Sequence, residues 1–241
     1  MSLRDTARYA FGLVFARFMP LNDDLTIQEN VELFSELNGI SKEKGEKIGR
    51  ELMKRLKIEK FKNKYPKILS GGQRKRLNII LSCLHSPKLL ILDEPFAGLD
   101  YYNRRLLWDF LTSLRNKGVT IVLSTHLLKE AQEYSSRVLI LKNGKKFAYG
   151  TFKDIKHRIR FNYIYHIKLS SISRKFLESL RHFSVLKKIK ILYTFRREIQ
   201  FAINSLNDKF IIKDFLQRKK QSFTEIGLRE PHLDEVMLAS K

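Results

Sequence analysis

The chain has 241 residues, of which 43% are hydrophobic and 30% are charged, and its formal net charge is +22. This length suffices for one large or two small cores, and no apolar run reaches the roughly 18–20 residues of a membrane helix, so we expect a soluble protein. The excess of basic side chains favours anionic partners such as nucleotide phosphates, nucleic acid or an acidic membrane surface, although the scattered lysines are more typical of a solvated surface.

Three helices are predicted in the first third of the chain, after a buried strand over residues 8–15. The T-x-x-E spacing of residues 26–29 is a capping box, which predicts that a helix begins there. A second amphipathic helix is predicted over residues 41–56 and a third over residues 70–85. The single cysteine, Cys83, lies in an apolar part of the third helix, so we expect a buried thiol in a reducing cytoplasm rather than a reactive one.

Two short apolar runs, KLLILDEP and VTIVLSTH, lie on either side of a helical pattern at residues 102–116. Each run is typical of a strand that is buried on both faces of a parallel sheet. A hairpin follows, with Asn143–Gly144 as its type I′ turn. Alternating strands and helices predict an α/β layered domain over residues 1–160, with a helical subdomain over about residues 26–85.

The pattern changes beyond residue 160. Alternating and helical segments follow one another there in the order β-α-β-β-α-β, which is the split βαβ arrangement. We therefore predict a small second domain of the α+β class over residues 161–241.

Acidic and imidazole side chains follow the two apolar runs. Asp93 and Glu94 end the first run, and the carboxyl end of a parallel strand is where α/β proteins bind ligands. Asp93 would suit Mg²⁺, and Glu94 would orient and deprotonate a water molecule in phosphoryl transfer; the alternative is that both residues only cap the next turn. His126 ends the second run and would donate to a phosphate oxygen, unless it is a satisfied core residue.

The stretch LSGGQRKRL, residues 69–77, places Ser70 and two glycines at the start of a basic helix. The first turn of a helix offers free backbone N–H groups and the positive end of the helix dipole. This stretch therefore suits a phosphate group.

LSGGQ at 69–73, LLILDEP at 89–95, AGLD at 97–100 and STH at 124–126 together closely resemble the ATP-binding cassette (ABC) ATPases. The resemblance implies a partial P-loop-NTPase-like cassette fold, with ATP and Mg²⁺ as cofactors. It implies that Asp93 is the magnesium carboxylate, that Glu94 is the catalytic glutamate, and that His126 senses the γ-phosphate. The residues that it implies for contact with ATP are Ser70, Gly71, Gly72, Gln73 and Asp100.

The tail REPHLDEVML resembles the ending of cassettes that drive exporters. The family likeness implies an ATPase subunit of an ABC-type export system, which binds a transmembrane permease at the inner face of the cell membrane. It also implies a second cassette, because in this family ATP is sandwiched between two cassettes head to tail. The signature loop of one cassette then contacts the ATP that the other cassette holds.

The chain departs from the family because it contains no P-loop, G-x-x-x-x-G-K-[ST]. Of its 11 glycines, only Gly144 is directly followed by lysine, and the rest of the pattern does not fit there. Arg17 occupies the position of the family's Q-loop glutamine, and an arginine side chain has only hydrogen-bond donors. We expect that a P-loop-bearing N-terminal cassette fragment is supplied by another chain or by a missing segment, and that the chain alone is inactive.

Two alternatives remain open. The chain could be a degenerate cassette that hydrolyses nothing and regulates a complete one. It could instead be a soluble ABC protein that acts on nucleic acid or ribosomes, but the single half-cassette, the lack of a heptad run and the exporter-like tail disfavour nucleic acid as its partner.

Overall fold

The computed structural model describes residues 11–14, 21–156 and 161–235 of the chain. It divides into two compact units, Met1–His126 and Leu127–Lys241. This division falls inside the predicted first domain, and the domain boundary that we expect near residue 160 stays a prediction.

The first unit contains a sheet of three parallel strands in the order β1-β2-β3. The strands are β1 (Phe11–Val14), β2 (Leu89–Leu92) and β3 (Thr120–Leu123). β1 pairs with β2 and β2 pairs with β3, both in parallel, which confirms the predicted α/β class. The remainder of the strand that we predict over residues 8–15, together with Arg17, lies outside the described residues.

Of the side chains that the structure describes on one face of this sheet, two on β2 and β3 are exposed, so the expected burial of these strands on both faces is wrong. Leu90 and Leu92 are fully buried, but Ile91 is 36% exposed and its register partner Val122 is 52% exposed. Side chains alternate between the two faces of a strand, so these two apolar side chains lie side by side on the face opposite the buried leucines.

The helices of the first unit lie close to their predicted positions. They are α1 (Ile27–Leu37), α2 (Lys42–Arg55), α3 (Gly71–Cys83) and α4 (Tyr101–Asn116). The capping box that opens α1 is confirmed, because the Glu29 backbone N–H donates to Thr26 Oγ1 and the Thr26 backbone N–H donates to the Glu29 carboxylate. Cys83 is buried in α3, and burial raises the pKa of its thiol to about 12, so it is not a reactive cysteine.

Small residues allow α1 and α2 to pack closely. A Cβ atom added to Gly49 would lie 2.4 Å from Val31 Cγ1, and one added to Gly45 would lie 2.4 Å from Ser35 Oγ. The Ser35 hydroxyl is buried and donates to the Val31 backbone carbonyl at 2.7 Å, so no polar group is left unpaired in this contact.

The second unit begins with a short helix and a hairpin. Its first elements are α5 (Leu128–Tyr134), β4 (Val138–Lys142), β5 (Lys145–Gly150) and α6 (Phe152–Lys156). β4 and β5 pair antiparallel. The φ angles of Asn143 and Gly144 are 50° and 72°, which confirms the predicted type I′ turn.

The rest of the second unit has the predicted β-α-β-β-α-β order. Its elements are β6 (Tyr163–Leu169), α7 (Arg174–Leu186), β7 (Lys190–Phe195), β8 (Glu198–Ile203), α8 (Leu206–Arg218) and β9 (Phe223–Arg229). The four strands form an antiparallel sheet in the order β7-β8-β6-β9. Buried side chains from the two helices pack together with those of the strands in one hydrophobic cluster, which contains Tyr165, Ile167, Phe183, Phe201, Ile212 and Leu216.

The REPHLDE tail is bound within the second unit. Leu233 is fully buried among hairpin side chains, and its backbone N–H donates to Gln132 Oε1 at 3.1 Å. The Glu235 carboxylate, itself nearly buried, accepts hydrogen bonds from Arg229 at 2.5 Å and from the His232 backbone N–H at 2.6 Å. Burial acts to raise the pKa of Glu235, but these hydrogen bonds and the Arg229 charge outweigh it, so the pKa is lowered. Among the described residues, no helix is both long and apolar enough to cross a membrane.

Candidate functional site

Ser124 forms hydrogen bonds with both residues that follow β2, Asp93 and Glu94. Its hydroxyl donates to Asp93 Oδ1 at 2.5 Å and accepts a hydrogen bond from the Glu94 backbone N–H at 2.9 Å. The Ser124 backbone N–H donates to the Leu92 carbonyl at 2.9 Å, so the residue continues the pairing of β3 with β2. The carboxyl ends of two neighbouring parallel strands therefore bring the predicted acidic pair together with the segment that contains His126.

Glu94 has a backbone conformation that is unusual for a residue with a side chain. Its φ angle is +44°, in the left-handed region, where a non-glycine residue costs about 1–2 kcal/mol. Its carboxylate is about two thirds buried and lies 3.0 Å from His126 Nδ1. An ionised carboxylate can only accept, so His126 donates from Nδ1 in this contact. The sequence analysis expects these two side chains at one site, and the structure places them in contact.

The LSGGQ segment forms the N-terminus of α3. The Gln73 backbone N–H donates to Ser70 Oγ at 3.3 Å, and the Ser70 backbone N–H donates to Gln73 Oε1 at 2.9 Å. These two bonds form a capping box, so the side chains of Ser70 and Gln73 hold the helix end together. The remaining N–H groups of the first turn stay available for an anion.

The two glycines of this segment have different surroundings. A Cβ atom added to Gly71 would meet no atom within 4 Å, whereas one added to Gly72 would lie 2.8 Å from Leu99 Cδ2. A Cβ atom at position 72 would therefore force the Leu99 side chain to shift, whereas one at position 71 would not disturb the packing. A glycine at an open helix end lets a ligand approach the backbone closely.

Lys75 connects α3 to the segment after β2. Its ammonium group donates to the Ala97 carbonyl at 2.5 Å and to the Glu94 carbonyl at 3.4 Å. Burial lowers the pKa of Lys75, and the Glu94 charge partly opposes this effect. The helix that starts at LSGGQ and the loop that carries Glu94 are thus bonded to each other within one unit.

Asp100 caps α4. Its carboxylate accepts hydrogen bonds from the Asn103 backbone N–H at 2.8 Å and from the Asn103 side chain at 2.6 Å. These bonds lower the pKa of Asp100, and the bond from the Asn103 backbone N–H has the larger effect. The geometry therefore accounts for Asp100 as a helix cap, and the ATP contact that the resemblance implies for it stays a prediction.

At the end of β2, the Asp93 carboxylate is a candidate ligand for a magnesium ion. Among the described residues, no group of three or more His, Cys, Asp or Glu side chains is arranged to hold a metal ion. Mg²⁺ bound to a nucleotide is usually held by one or two carboxylates together with phosphate oxygens and water. The exposed carboxylate of Asp93 suits that kind of binding.

The sequence analysis assigns no role to two residues of this site, although Ser124 lies in its STH segment. Ser124 directly follows β3, so the rule that ligand-binding side chains follow parallel strands could have identified it. Lys75 carries no such signal, because one lysine in a basic helix is indistinguishable from a solvated one until the fold is known.

The comparisons with known proteins point to ABC transporters. Residues 3–97 match the family model described as "ABC transporter". An uncharacterized ABC transporter ATP-binding protein of Methanocaldococcus jannaschii is 40% identical over 138 residues, which are 57% of this chain and 53% of that protein. The Nod factor export ATP-binding protein I of Rhizobium etli is 34% identical over 149 residues, which are 62% of this chain and 47% of that protein.

A solved ATP-binding cassette, a dimer in a post-hydrolysis state with ADP and Pi, superposes with a TM-score of 0.55 and 29% identity; the match covers 62% of this chain and 66% of that one. The chain spans about half the length of the first curated relatives that it matches. A probable sulfate/thiosulfate import protein is also among the relatives, so the likeness by itself does not distinguish export from import.

Proposed function

Since this chain belongs to the ATP-binding cassettes of ABC transporters, we propose that it is an ATP-hydrolysing subunit of an ABC export system. The observation that carries the proposal is the joined group of Asp93, Glu94, Ser124 and His126 at the carboxyl ends of β2 and β3. The exporter-like tail supports export as the direction of transport, which the likeness to export and import proteins alone does not decide. The membrane partner is a transmembrane permease, and the subunit works at the inner face of the membrane.

Each residue of the group has a distinct part in phosphoryl transfer. Asp93 binds Mg²⁺, which when present neutralises charge on the phosphate oxygens. Glu94 orients the attacking water and accepts its proton. His126 holds the Glu94 carboxylate through Nδ1, so it can donate to a γ-phosphate oxygen from Nε2 only when the imidazole carries both protons.

The LSGGQ segment contacts the ATP of a second cassette. Ser70, Gly71, Gly72 and Gln73 form the first turn of α3, where backbone N–H groups face an anion. Gly71 leaves this end of the helix open to a phosphate group. The similar solved cassette is a dimer with ADP and Pi, which supports two subunits that close on nucleotide.

The P-loop of the proposed site comes from outside these 241 residues, in the same or another polypeptide. The exposed side chains of Ile91 and Val122 support this part of the proposal, because they offer apolar surface for a further segment to cover. ATP would then lie between that P-loop and the Asp93 group of one subunit and the LSGGQ segment of the other.

ATP binding and turnover test the proposal in a fusion protein that places a P-loop strand and helix ahead of residue 1. We expect the fusion to hydrolyse ATP, and we expect Glu94→Gln to lower kcat by roughly 10²–10⁴-fold while ATP binding remains. The 241-residue chain alone should neither bind MgATP tightly nor hydrolyse it. ATP binding by the fusion without turnover would favour the non-hydrolysing regulator, and turnover that survives Glu94→Gln would contradict the proposal.

A further inference from the structure

We infer that Ser124 is a positioning residue for ATP hydrolysis, which holds both the metal-binding carboxylate and the catalytic glutamate through one hydroxyl group. This inference rests on the proposed function and extends it to Ser124, a residue of the STH segment to which the family resemblance assigns no role. Ser124 is exposed at the end of β3, where the fold itself does not require a buried hydroxyl.

The direction of each hydrogen bond follows from the partners. The Glu94 backbone N–H can only donate, so Ser124 Oγ must be its acceptor at 2.9 Å. The single hydroxyl proton of Ser124 is then directed to Asp93 Oδ1 at 2.5 Å. One hydroxyl thus fixes one oxygen of Asp93 and the backbone of the next residue at the same time.

The Ser124 bond to the Glu94 backbone N–H stabilises a residue with an unfavourable backbone conformation. A left-handed φ of +44° at a glutamate persists only when the surrounding structure enforces it. The Glu94 backbone makes three hydrogen bonds to described residues: its N–H donates to Ser124 at 2.9 Å, and its carbonyl accepts from the Ala97 N–H at 3.2 Å and from Lys75 at 3.4 Å. The Ser124 bond is the shortest of the three, and it is the one that holds the N–H.

The segment after β3 also contacts the side chain of Glu94. His126, two residues after Ser124, lies 3.0 Å from the Glu94 carboxylate. The end of β3 therefore holds Glu94 at its backbone through Ser124 and at its side chain through His126. Loss of the Ser124 hydroxyl should misplace the Glu94 carboxylate relative to the water without removing any group that binds ATP.

The first test measures amide hydrogen exchange at Glu94 by NMR in the 241-residue chain, and it needs no nucleotide. Loss of one hydrogen bond worth about 1 kcal/mol should speed this exchange roughly fivefold in Ser124→Ala. Ser124→Thr keeps the hydroxyl and should exchange like the unchanged chain. Ser171→Ala, at an exposed position of the second unit, is the matched control and should leave the Glu94 exchange rate unchanged.

The second test measures ATP turnover in the P-loop fusion. Ser124→Ala should lower kcat by roughly tenfold or more with an unchanged KM for ATP, and it should raise the Mg²⁺ concentration needed for half-maximal turnover. Ser124→Thr should restore both. A faster Glu94 exchange with unchanged kcat and Mg²⁺ dependence would overturn the inference, because the hydroxyl would then be only structural.

The two readouts separate this inference from the proposed function. If the unchanged fusion has no ATP turnover, the proposed function fails, and the exchange rates still decide whether Ser124 holds the segment. Equal exchange rates in Ser124→Ala and Ser124→Thr overturn the inference whatever the turnover is.

Discussion

Substitution of the two adjacent glycines at the start of α3 should separate stability from function. Gly71→Ala adds a methyl group that meets no atom within 4 Å, so its effect on stability is the helix propensity alone. Alanine is favoured over glycine in a helix by about 0.5–1 kcal/mol. At about 2–4 °C per kcal/mol for a chain of this size, the melting temperature should rise by about 1–4 °C.

Gly72→Ala is the matched control, because the same propensity gain is opposed by a contact. Its methyl group would lie 2.8 Å from Cδ2 of the buried Leu99, and overpacking of this kind costs about 1–3 kcal/mol. The net change should therefore lie between about zero and 2.5 kcal/mol of lost stability.

Thermal melting followed by circular dichroism measures both variants in the 241-residue chain, and ATP turnover is measured in the P-loop fusion. We expect Gly71→Ala to be the more stable of the two and still to lower turnover, since the methyl group fills the space through which a phosphate approaches the helix end. A Gly72→Ala variant as stable as Gly71→Ala would refute the packing argument. Full turnover by Gly71→Ala would refute the proposed role of the open glycine.

Three further predictions concern the stability of the fold. The lowered pKa of Glu235 means that its ionised form stabilises the fold, and this contribution is lost as pH falls below the ordinary value of 4.5, so Glu235→Gln should flatten the fall of melting temperature between about pH 5 and 3. A steeper fall in the variant would contradict this sign. Lys75→Met removes the hydrogen bond to the Ala97 carbonyl and should lower the free energy of unfolding in urea by about 1–2 kcal/mol; no change would show that the bond has no net value. Gly49→Ala places a methyl group 2.4 Å from Val31 Cγ1 and should cost about 1–2 kcal/mol in the same assay, part of which an added Val31→Ala should restore. Additive effects of these two substitutions would show that the contact is not the cause.

The parts of the fold that the sequence predicts well depend on short-range chemistry. The capping boxes at Thr26 and Ser70 involve residues three positions apart, and both helices begin where those residues predict. The Asn143–Gly144 turn requires two positive φ angles, which its residues readily adopt. The β-α-β-β-α-β order of the second unit follows from clear changes of hydrophobic period.

The parts that the sequence does not predict depend on contacts between distant segments. The apolar runs at β2 and β3 predict buried side chains. The identity of an apolar residue such as Val122 does not show whether another segment covers it, and Val122 is in fact exposed. Asp93 and Glu94 are recognised because they follow a strand, whereas the left-handed backbone of Glu94 and its bond to Ser124 exist only once β2 and β3 pair. Asp100 shows the converse, since its residue type fits both a helix cap and a nucleotide contact.

A mixing experiment tests most directly the central claim that the LSGGQ segment and Glu94 act on one ATP only across two subunits. Gly71→Asp should keep the fold, because an acidic side chain suits the first turn of a helix and the position is open, yet it should repel phosphate. Each P-loop fusion, with Gly71→Asp or with Glu94→Gln, should be inactive alone. An equimolar mixture should recover up to about a quarter of the unchanged turnover, because half of the dimers are mixed and each has one intact site of two. No recovery, with mixed dimers shown to form, would contradict the account.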